Sequence, residues 1–562
     1  MSKPWLTNYP AGVPAEIDRD RYRSLVQLAD EAFAEFPTRD AYVQMGRALT
    51  YADLDVQSAA FGAWLQQRAG LVRGDRVAIM LPNVLQYPIA LLGVLRAGGV
   101  VVNTNPLYTT RELEHQLNDS SAEIIVILEN FAHVLEEVIA RTPVRKVVVT
   151  SVGDLLGFPK GAIVDFVVRH VRKQVPPYRL PGAVRFHETL QDGGGLELRR
   201  EDLGHDDLAF LQYTGGTTGV SKGAMLSHGN MVANVLQSSA WTEPAFPRGQ
   251  HSIAITALPL YHIFALTANC LLFVRLGWTN ILITNPRDFP GFVKELKRYP
   301  FTYISGVNTL FNALLNTPGF ASVDFSKLRV TLGGGMAVQR AVAEQWKKVT
   351  GCILTQAWGL TETSPAACIN PIDLDFNDSI GLPISSTEIG IADDTGTMLP
   401  IGQVGEICVR GPQVMQGYYK RPDETARVML PDGWLRTGDI GRMDGRGFVY
   451  IEDRKKDMIN VSGFNVYPNE VESVAVTHPG VLEAAAVAQP SEHSGEAVVL
   501  FVVRKDPALT EEALLEHCRA SLTGYKMPRH VYFRKDLPKT NVGKILRREL
   551  RDQELKKQAA TA

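Results

Sequence analysis

The segment between Tyr213 and Ala224 combines the residue types that proteins use to bind phosphate. Its sequence, YTGGTTGVSKGA, holds four glycines, three threonines, a serine and a lysine within twelve residues. Glycine lets backbone N–H groups approach an anion closely, hydroxyls donate to phosphate or ligate a metal, and Lys222 adds positive charge. The segment fits neither GxxxxGK[ST] nor GxGxxG. It predicts a phosphate loop of another kind, and a flexible surface loop is the alternative.

The flanking residues predict the setting of this loop. The apolar run LAFLQ before it predicts a strand, and AMLSHGNMVANVLQ after it predicts a helix. A loop between a strand and a helix N-terminus is a favourable anion site, because unpaired N–H groups and the helix dipole both point at the anion.

Further along the chain, other segments hold residues that could act on a nucleotide or an acid. They include a histidine beside apolar residues, a glycine run, a glutamate after an aromatic residue, an aspartate in a TGD turn and a late lysine. In chain order they are PLYHIFAL (259–266), GGGMAV (333–338), QAWGLTET (356–363), GWLRTGD (433–439), EDRKKDMINVSGFNVYPNEVE (452–472) and PKTNVGKILRREL (538–550).

These motifs, in this order, resemble the signatures of the adenylate-forming superfamily, which includes acyl-CoA synthetases, nonribosomal-peptide adenylation domains and luciferases. The likeness runs over nearly the whole chain. The continuous segment 432–459, DGWLRTGDIGRMDGRGFVYIEDRKKDMI, is similar to the signature of bacterial long-chain fatty-acyl-CoA synthetases.

The resemblance implies an acid–thiol ligase that forms AMP. Such an enzyme uses ATP and Mg²⁺ to join a fatty acid to AMP, releases pyrophosphate, and passes the acyl group to coenzyme A. The alternatives are a medium-chain, short-chain or aryl acid–CoA ligase, an acyl-AMP ligase that serves a carrier protein, and a non-catalytic nucleotide- or lipid-binding relative.

The resemblance also implies the residues that hold ATP and AMP. The glycine segment and the aromatic motif would line adenine, with Trp358 near the base and a buried core tryptophan as the alternative. Asp439 would accept both ribose hydroxyls, and Thr361 would touch the α-phosphate. The full set is Tyr213, Thr214, Gly215, Gly216, Thr217, Thr218, Gly219, Lys222, Gly334, Gly335, Gln356, Ala357, Trp358, Gly359, Thr361, Asp439 and Arg454.

The residues expected to act in catalysis are Lys544, Glu362, Thr214 and His262. Glu362 is the hard oxygen ligand that Mg²⁺ prefers, and the resemblance adds Thr214 as its partner. Lys544 is a long mobile cation that can neutralise a carboxylate and an α-phosphate as they meet. His262 would orient the carboxylate or gate its pocket, and a satisfied core histidine is the alternative.

The second half-reaction implies a hinge and a surface for coenzyme A. The hinge position of the family matches Asp453, and the coenzyme A face matches Ser462, Gly463 and Phe464. Many relatives carry a lysine where this chain has Asn460, so no phosphate contact is carried over to that position. Lys539, Arg547 and Arg548 are interpreted as surface charges.

Alternation of short apolar runs with helical patterns predicts an α/β protein with layered parallel sheets. Gly- and Pro-rich β-like runs predict a β-rich subdomain at about 388–452. We expect a large N-terminal adenylation domain over 1–452 and a small mobile α+β domain over 453–562, which carries the lysine.

Bulk properties agree with a globular enzyme. The 562 residues exceed a single core, and a formal net charge of -2 gives no sign of nucleic-acid binding. Five dispersed cysteines predict reduced thiols in the cytoplasm. The chain shows no secretory signal and no apolar run of transmembrane length.

Residues 151–182 look like an insertion whose apolar side chains alternate with basic ones. One interpretation is an amphipathic helix over 155–175 that contacts the inner face of the cell membrane. The other is an ordinary core helix with a charged outer face. Oligomeric state stays open, with a homodimer among the alternatives.

Overall fold

The computed structural model describes residues 3–214, 221–246, 250–491, 494–540 and 543–561, with side chains up to residue 555. It is a mixed α/β structure, as the sequence predicts, in which a large N-terminal part is followed by a small C-terminal one. Among the residues described, no helix combines the length and the apolar character that a membrane crossing requires.

The first α/β layer is built from the apolar runs at the start of the chain. Its central strands pair in parallel, and antiparallel pairs close the edge that carries the phosphate motif. From that edge the strands are Gly417–Tyr418, Lys222–Ser227, Leu208–Thr214, Val100–Asn103, Arg76–Met80, Ile124–Leu128, Lys146–Thr150 and Val184–Arg185.

The second α/β layer also has a parallel centre, and it places the GGGMAV and QAWGLTET motifs side by side. Gly333, which ends one strand, is paired with Gln356 of the next. In sheet order the strands are Leu382–Pro383, Ala366–Ile369, Leu354–Gly359, Val330–Gly333, Tyr303–Gly306, Ile253–Thr256, Thr279–Leu282, Asp40–Gln44 and Arg47–Thr50.

Helices cover these sheets and follow the predicted apolar periodicity. Those of the N-terminal part are Leu25–Glu35, Tyr51–Gln67, Gln86–Arg96, Thr110–Ser120, Ala132–Val138, Lys160–Phe166, Phe186–Gly193, His228–Thr242, Ile263–Ala265, Leu272–Leu276, Phe289–Leu296, Asn308–Leu315, Arg340–Thr350 and Pro422–Val428. Single π-helical turns, Val167–Val171 and Leu266–Leu271, extend two of them.

The predicted β-rich region is an antiparallel sheet of Glu388–Ala392, Gly405–Arg410, Leu435–Met443 and Val449–Arg454. The last strand includes Asp453 and Arg454, and the chain then turns at residues 455–457. The domain boundary expected at 452/453 stays a prediction, and this turn lies a few residues after it.

The C-terminal part folds as a separate α+β layer. Its strands are Phe464–Val466, Ile459–Val461, Gly495–Arg504 and Val481–Ser491, with His530–Arg534 parallel to Gly495–Arg504. Its helices are Pro468–Ala475, Glu511–Arg519 and Arg547–Thr561. The apolar side chains on both faces of this sheet form clusters distinct from the main core.

The helix predicted to follow the phosphate loop directly is wrong, because a strand comes between them. Residues Lys222–Ser227 form a strand antiparallel to Leu208–Thr214, and the helix starts only at His228. The helix begins at His228 because Ser227 caps its N-terminus and accepts from Asn230 N at 3.1 Å. The loop therefore joins two antiparallel strands and does not lead into a helix N-terminus.

Candidate active site

The ends of the phosphate hairpin are fixed by hydrogen bonds. Tyr213 donates from its hydroxyl to Asp119 at 2.7 Å, and Ser221 Oγ donates to the carbonyl of Thr214 at 2.7 Å. A Cβ on Gly223 would come within 3.1 Å of the Tyr213 ring, so this glycine lets the hairpin close tightly. The predicted contacts Gly215, Gly216, Thr217, Thr218 and Gly219 lie outside the described residues.

Lys222 is already paired in this structure. Its ammonium lies 2.5 Å from Glu424 Oε2 and 5.1 Å from the centre of the Tyr418 ring. The hydrogen bond from Lys222 holds the pKa of Glu424 below its usual range. The lysine predicted to bind phosphate is therefore held at the base of the hairpin by a carboxylate.

Glu362 lies in a short turn, Thr361–Thr363, directly after the strand Leu354–Gly359. Tyr418 donates from its hydroxyl to Glu362 Oε1 at 2.6 Å. Burial, followed by the charge of Glu362, raises the pKa of Tyr418, so the tyrosine stays a donor. Glu362 also lines a cavity of about 320 Å³ with Tyr418, Arg436 and Lys455.

The donors near Glu362 fit a magnesium ion that is bound mainly by phosphate and water. The strand that ends in Thr214 packs against the turn that carries Glu362. A carboxylate and a hydroxyl are hard oxygen donors, and Mg²⁺ is usually held by one or two protein oxygens together with substrate phosphates. In the described parts of the chain, no group of three or more His, Cys, Asp or Glu could cage a metal without phosphate.

The predicted adenine wall is tightly packed. Gln356 is buried, accepts from Val338 N at 3.0 Å and donates to the carbonyl of Ser379 at 2.9 Å, so its strand is tied to two neighbouring loops. A Cβ on Gly334 would lie 3.1 Å from the Ala357 carbonyl and from the Phe264 ring.

At two more positions of this wall the backbone conformation or a close backbone contact requires glycine. Gly335 has a φ of +77°, which favours glycine. A Cβ on Gly359 would lie 1.8 Å from the carbonyl of Pro365, so only glycine fits there.

Asp439 connects the aromatic motif to the end of the β-rich sheet. Its carboxylate accepts from Trp358 Nε1 at 3.0 Å and pairs with Arg454 Nε at 3.0 Å, while only 2% of the residue is exposed. Trp358 is largely buried, as the core alternative expects, and it also holds the predicted ribose ligand; its place beside adenine stays a prediction.

Lys544 lies in the same place, although it comes from the C-terminal part. Thr309 of the N-terminal part donates to the carbonyl of the preceding Gly543 at 3.0 Å. Burial lowers the pKa of Lys544 to about 7, and the positive charges of Arg454 and Lys456 act in the same direction against Asp439. A negative group bound next to Lys544 would therefore raise its pKa and favour the ammonium form.

His262 is partly buried and lies near Lys544. Burial lowers its pKa to about 4, and the charge of Lys544 contributes to the shift. Its Nδ1 accepts from Phe264 N at 3.3 Å and caps the short helix Ile263–Ala265. The neutral imidazole is thus anchored through one nitrogen at the start of an apolar helix.

The residues expected at the hinge and the coenzyme A face lie apart from this cluster. Ser462 and Gly463, with φ values of +53° and +88°, form the tip of the hairpin between Ile459–Val461 and Phe464–Val466. Phe464 is exposed and stacks on Tyr525 with ring centres 4.9 Å apart. Asp453 is buried inside the last strand of the β-rich sheet.

The match to known families agrees with this arrangement. Residues 29–419 match the family described as AMP-binding enzyme, and residues 470–544 match the AMP-binding enzyme C-terminal domain. This chain belongs to the AMP-binding enzyme family.

Relatives of this AMP-binding enzyme align along its whole length. A long-chain-fatty-acid–CoA ligase of Escherichia coli O6:H1 is 58% identical over 554 residues, which cover 98% of both chains. The protein of that name in Bacillus subtilis is 38% identical over 98% of both chains. The crystal structure of ATP-bound MatB from Rhodopseudomonas palustris has a TM-score of 0.81 at 29% identity, over 94% of this chain and 98% of that one.

Sequence reasoning missed several residues of this AMP-binding enzyme's site. No sequence motif points to Tyr418 or Lys456, and the sequence predicts Arg547 to be a surface charge. That interpretation is wrong, because only 18% of the Arg547 side chain is exposed and it pairs with Glu472 at 2.7 Å. Its position three residues after Lys544, within the same motif, was the available signal.

Proposed function

We infer that this AMP-binding enzyme ligates a long-chain fatty acid to coenzyme A. It forms an acyl-adenylate and pyrophosphate from the acid and ATP, and then acyl-CoA and AMP. The observation that carries this function is the meeting of Lys544, from the C-terminal part, with Asp439 and Arg454 at one site. A protein that only binds nucleotides has no use for a cation delivered from a second domain.

The first half-reaction needs charge neutralisation above all. A carboxylate oxygen attacks the α-phosphorus, and the bond from that phosphorus to pyrophosphate breaks as the new bond forms. Both partners are anionic, so preorganised cations lower the barrier most. Lys544 would bridge the carboxylate and the α-phosphate, and Arg454 would support the phosphate and ribose.

Mg²⁺ would be held by Glu362 and Thr214 together with the phosphates of ATP. When bound, it would neutralise charge on the departing pyrophosphate. The contribution of this chain is to keep the Glu362 carboxylate aimed into the cavity through the 2.6 Å hydrogen bond from Tyr418. The loop 213–224 would hold the outer phosphates.

AMP would be retained by the Asp439 cluster. A single carboxylate with two acceptor oxygens can bind both ribose hydroxyls, and here those oxygens already accept from Trp358 and Arg454. Each oxygen has a second lone pair for a hydroxyl. Thr361, Gly334, Gly335, Ala357 and Gly359 would complete the nucleotide pocket.

The second half-reaction requires the C-terminal part to turn. We propose that the chain pivots in the turn at 455–457, because Asp453 is buried within a strand while this turn is not part of any. Rotation would remove Lys544 and bring the hairpin tip at Ser462, Gly463 and Phe464 to the acyl-adenylate. Gly463, which has open space around its Cα, suits close passage of the pantetheine arm.

A chain-length series tests the substrate class. AMP release is measured with CoA and saturated acids from acetate to long-chain fatty acids, with benzoate as the aromatic competitor. The proposal expects the highest kcat/KM for long chains. Preference for acetate or benzoate would favour the short-chain or aryl ligase, and AMP release without any acyl-CoA product would favour the carrier-protein alternative.

We also propose that residues 155–175 contact a membrane surface from which the fatty acid is taken. Phe158 is 93% exposed, and Ile163, Phe166 and Val171 are exposed on the same segment. The core-helix alternative would instead bury these side chains and expose the basic ones. Arg169 pairs with the buried Glu129 at 2.7 Å, while His170, Arg172 and Lys173 are exposed beside the apolar side chains. A homodimer stays a prediction.

A further inference from the structure

Arg547 joins the lysine-bearing segment to residues on both sides of the turn at 455–457. It lies three residues after Lys544, at the start of the helix Arg547–Thr561. Its guanidinium contacts Glu472, Asn469, Asp453 and Asp457. We call these five residues, Asp453, Asp457, Asn469, Glu472 and Arg547, the Arg547 cluster.

The members of the cluster come from different parts of the molecule. Asp453 belongs to the last strand of the β-rich sheet, and Asp457 ends the turn. Asn469 and Glu472 lie on the helix Pro468–Ala475 of the C-terminal part. Arg547 is 3.3 Å from Asp453 and 3.4 Å from Asp457, and it pairs with both oxygens of Glu472 at 2.7 and 2.8 Å.

Asp453 makes a second bond across the turn. Its Oδ2 accepts from the backbone N–H of Asn469 at 2.8 Å, at the start of the C-terminal helix. Burial raises the pKa of Asp453 to about 6, and Arg547 opposes that shift. A buried carboxylate is costly unless it is paired. Arg454 N, in the same strand, donates to Oδ1 at 2.7 Å, and the other two partners, Asn469 N and Arg547, belong to the C-terminal part.

These contacts oppose any rotation about the turn. The backbone between Asp453 and the C-terminal helix passes through 455–457, so a pivot there separates Asp453 from Asn469 N and from Arg547. Glu472 and Asn469 would stay with Arg547, because all three belong to the C-terminal part. The Asp453 bonds are thus made in one orientation of that part and lost in another.

We propose that Arg547 is a positioning residue for Lys544, and that its pairing with Asp453 is a latch that favours the adenylation orientation and opens for the second half-reaction. This inference deepens the proposed function and rests on it for the two half-reactions. Arg547 touches no reacting atom. It fixes the angle of the segment that delivers the ammonium group of Lys544.

The test separates the two half-reactions in Arg547→Gln. Adenylation is followed by ATP–pyrophosphate exchange, and thioester formation is followed with supplied acyl-AMP and CoA. Adenylation is expected to fall by about 10-fold or more, since small misplacements of a catalytic group are costly. Thioester formation should change by less than about twofold or rise, because the latch does not serve that orientation.

Asp453→Asn covers the case in which the arginine variant fails to fold. The amide keeps the shape and can still accept from Asn469 N, but it loses the charge that attracts Arg547. The same selective loss of adenylation is expected. Arg551→Gln is the matched control, because Arg551 lies one helical turn later, is exposed and contacts only Glu496 at 3.7 Å among the ion pairs described.

A second readout does not depend on activity. Trypsin can cut the turn after Lys455 and Lys456, and an opened latch should raise the initial cutting rate there in the enzyme without ligands. Arg547→Gln and Asp453→Asn should be cut faster than the wild type and Arg551→Gln, with the site confirmed by mass spectrometry.

If wild-type exchange with fatty acids fails while trypsin distinguishes the variants, the proposed function is wrong and the latch stands. Equal loss of both half-reactions, or cutting no faster than in Arg551→Gln, overturns the latch.

Discussion

Burial and the positive charges of Arg454 and Lys456 lower the pKa of Lys544. A cation in such surroundings is only partly protonated near neutral pH, and it becomes fully charged when an anion arrives. In the role that we propose, the arrival of the phosphate and the carboxylate would favour the charged form of the lysine. Its behaviour with pH provides a direct test of that role.

Lysine protonation should shape the pH dependence of adenylation. The pKa of Lys544 is lowered to about 7, so the charged fraction in the free enzyme falls as the pH rises through 7. We expect kcat/KM for ATP in the exchange reaction to fall above that pH by up to about tenfold per unit. Lys544→Arg stays charged and should be slower but lose this decline.

A second lysine at the site could also cause a decline of the exchange rate with rising pH. Lys456, whose pKa is lowered to about 8 by burial and Arg454, faces the same site and could produce a later decline. An unchanged profile in Lys544→Arg would show that the titrating group is another residue, such as Lys456.

Tyr418 is expected to tune magnesium binding through Glu362. Tyr418→Phe removes the donor 2.6 Å from Glu362 Oε1, so the carboxylate loses its fixed direction. We expect the Mg²⁺ concentration for half-maximal exchange to rise roughly 10-fold, as is typical when the partner of a metal ligand is removed. Mn²⁺ binding with ATP, followed by electron paramagnetic resonance, checks the site apart from turnover. Tyr419→Phe is the matched control, and identical Mn²⁺ affinities in both variants would contradict the prediction.

At the scale of elements, apolar periodicity predicted most of the fold. The runs RVAIM, VVVN and IIVIL form neighbouring parallel strands, and the segments between them form the buried helix Gln86–Arg96 and the amphipathic helix Thr110–Ser120. The antiparallel hairpin at the phosphate motif was not predictable in this way. The pattern of AMLS suits a strand or a helix, and only pairing with Leu208–Thr214 decides between them.

Motifs that carry their own chemistry single out Glu362, Asp439 and Lys544 in the sequence, and the roles of these residues stay predictions. The candidate site was not predictable where the role depends on a distant partner. Arg547 looks like a surface charge in LRREL, and its burial depends on carboxylates that lie 75 to 94 residues away. Lys222 likewise pairs with Glu424, which is 202 residues distant.

The segment 155–175 should contribute to membrane binding through its exposed apolar side chains. Phe158→Asp combined with Phe166→Asp adds two charges to that surface, and we expect co-sedimentation with anionic vesicles to fall at least about fivefold. Val56→Asp is the control, because Val56 is 67% exposed on the helix Tyr51–Gln67. Vesicle binding equal to that of the wild type would remove the membrane hypothesis.

At the scale of the molecule, hydrogen bonds and ion pairs connect the N-terminal and C-terminal parts. Thr309 and Asn312, on one helix of the N-terminal part, bind the carbonyls of Gly543 and Leu482. These contacts and the Asp453 bonds fix the C-terminal part on the N-terminal part in the orientation that we propose for adenylation. Under that proposal, a rotation of the C-terminal part would bring the exposed hairpin at Gly463 to the same site for the second step.

The most direct test of this account compares the two half-reactions in Lys544→Ala. Exchange of pyrophosphate into ATP is measured with a long-chain fatty acid and no CoA, and acyl-CoA formation is measured from supplied acyl-AMP. The account predicts that exchange falls by at least about 100-fold, as for loss of a major electrostatic group, while thioester formation stays within about twofold of the wild type. Exchange at the wild-type rate, or an equal loss of both reactions, would contradict the claim that Lys544 serves adenylation alone.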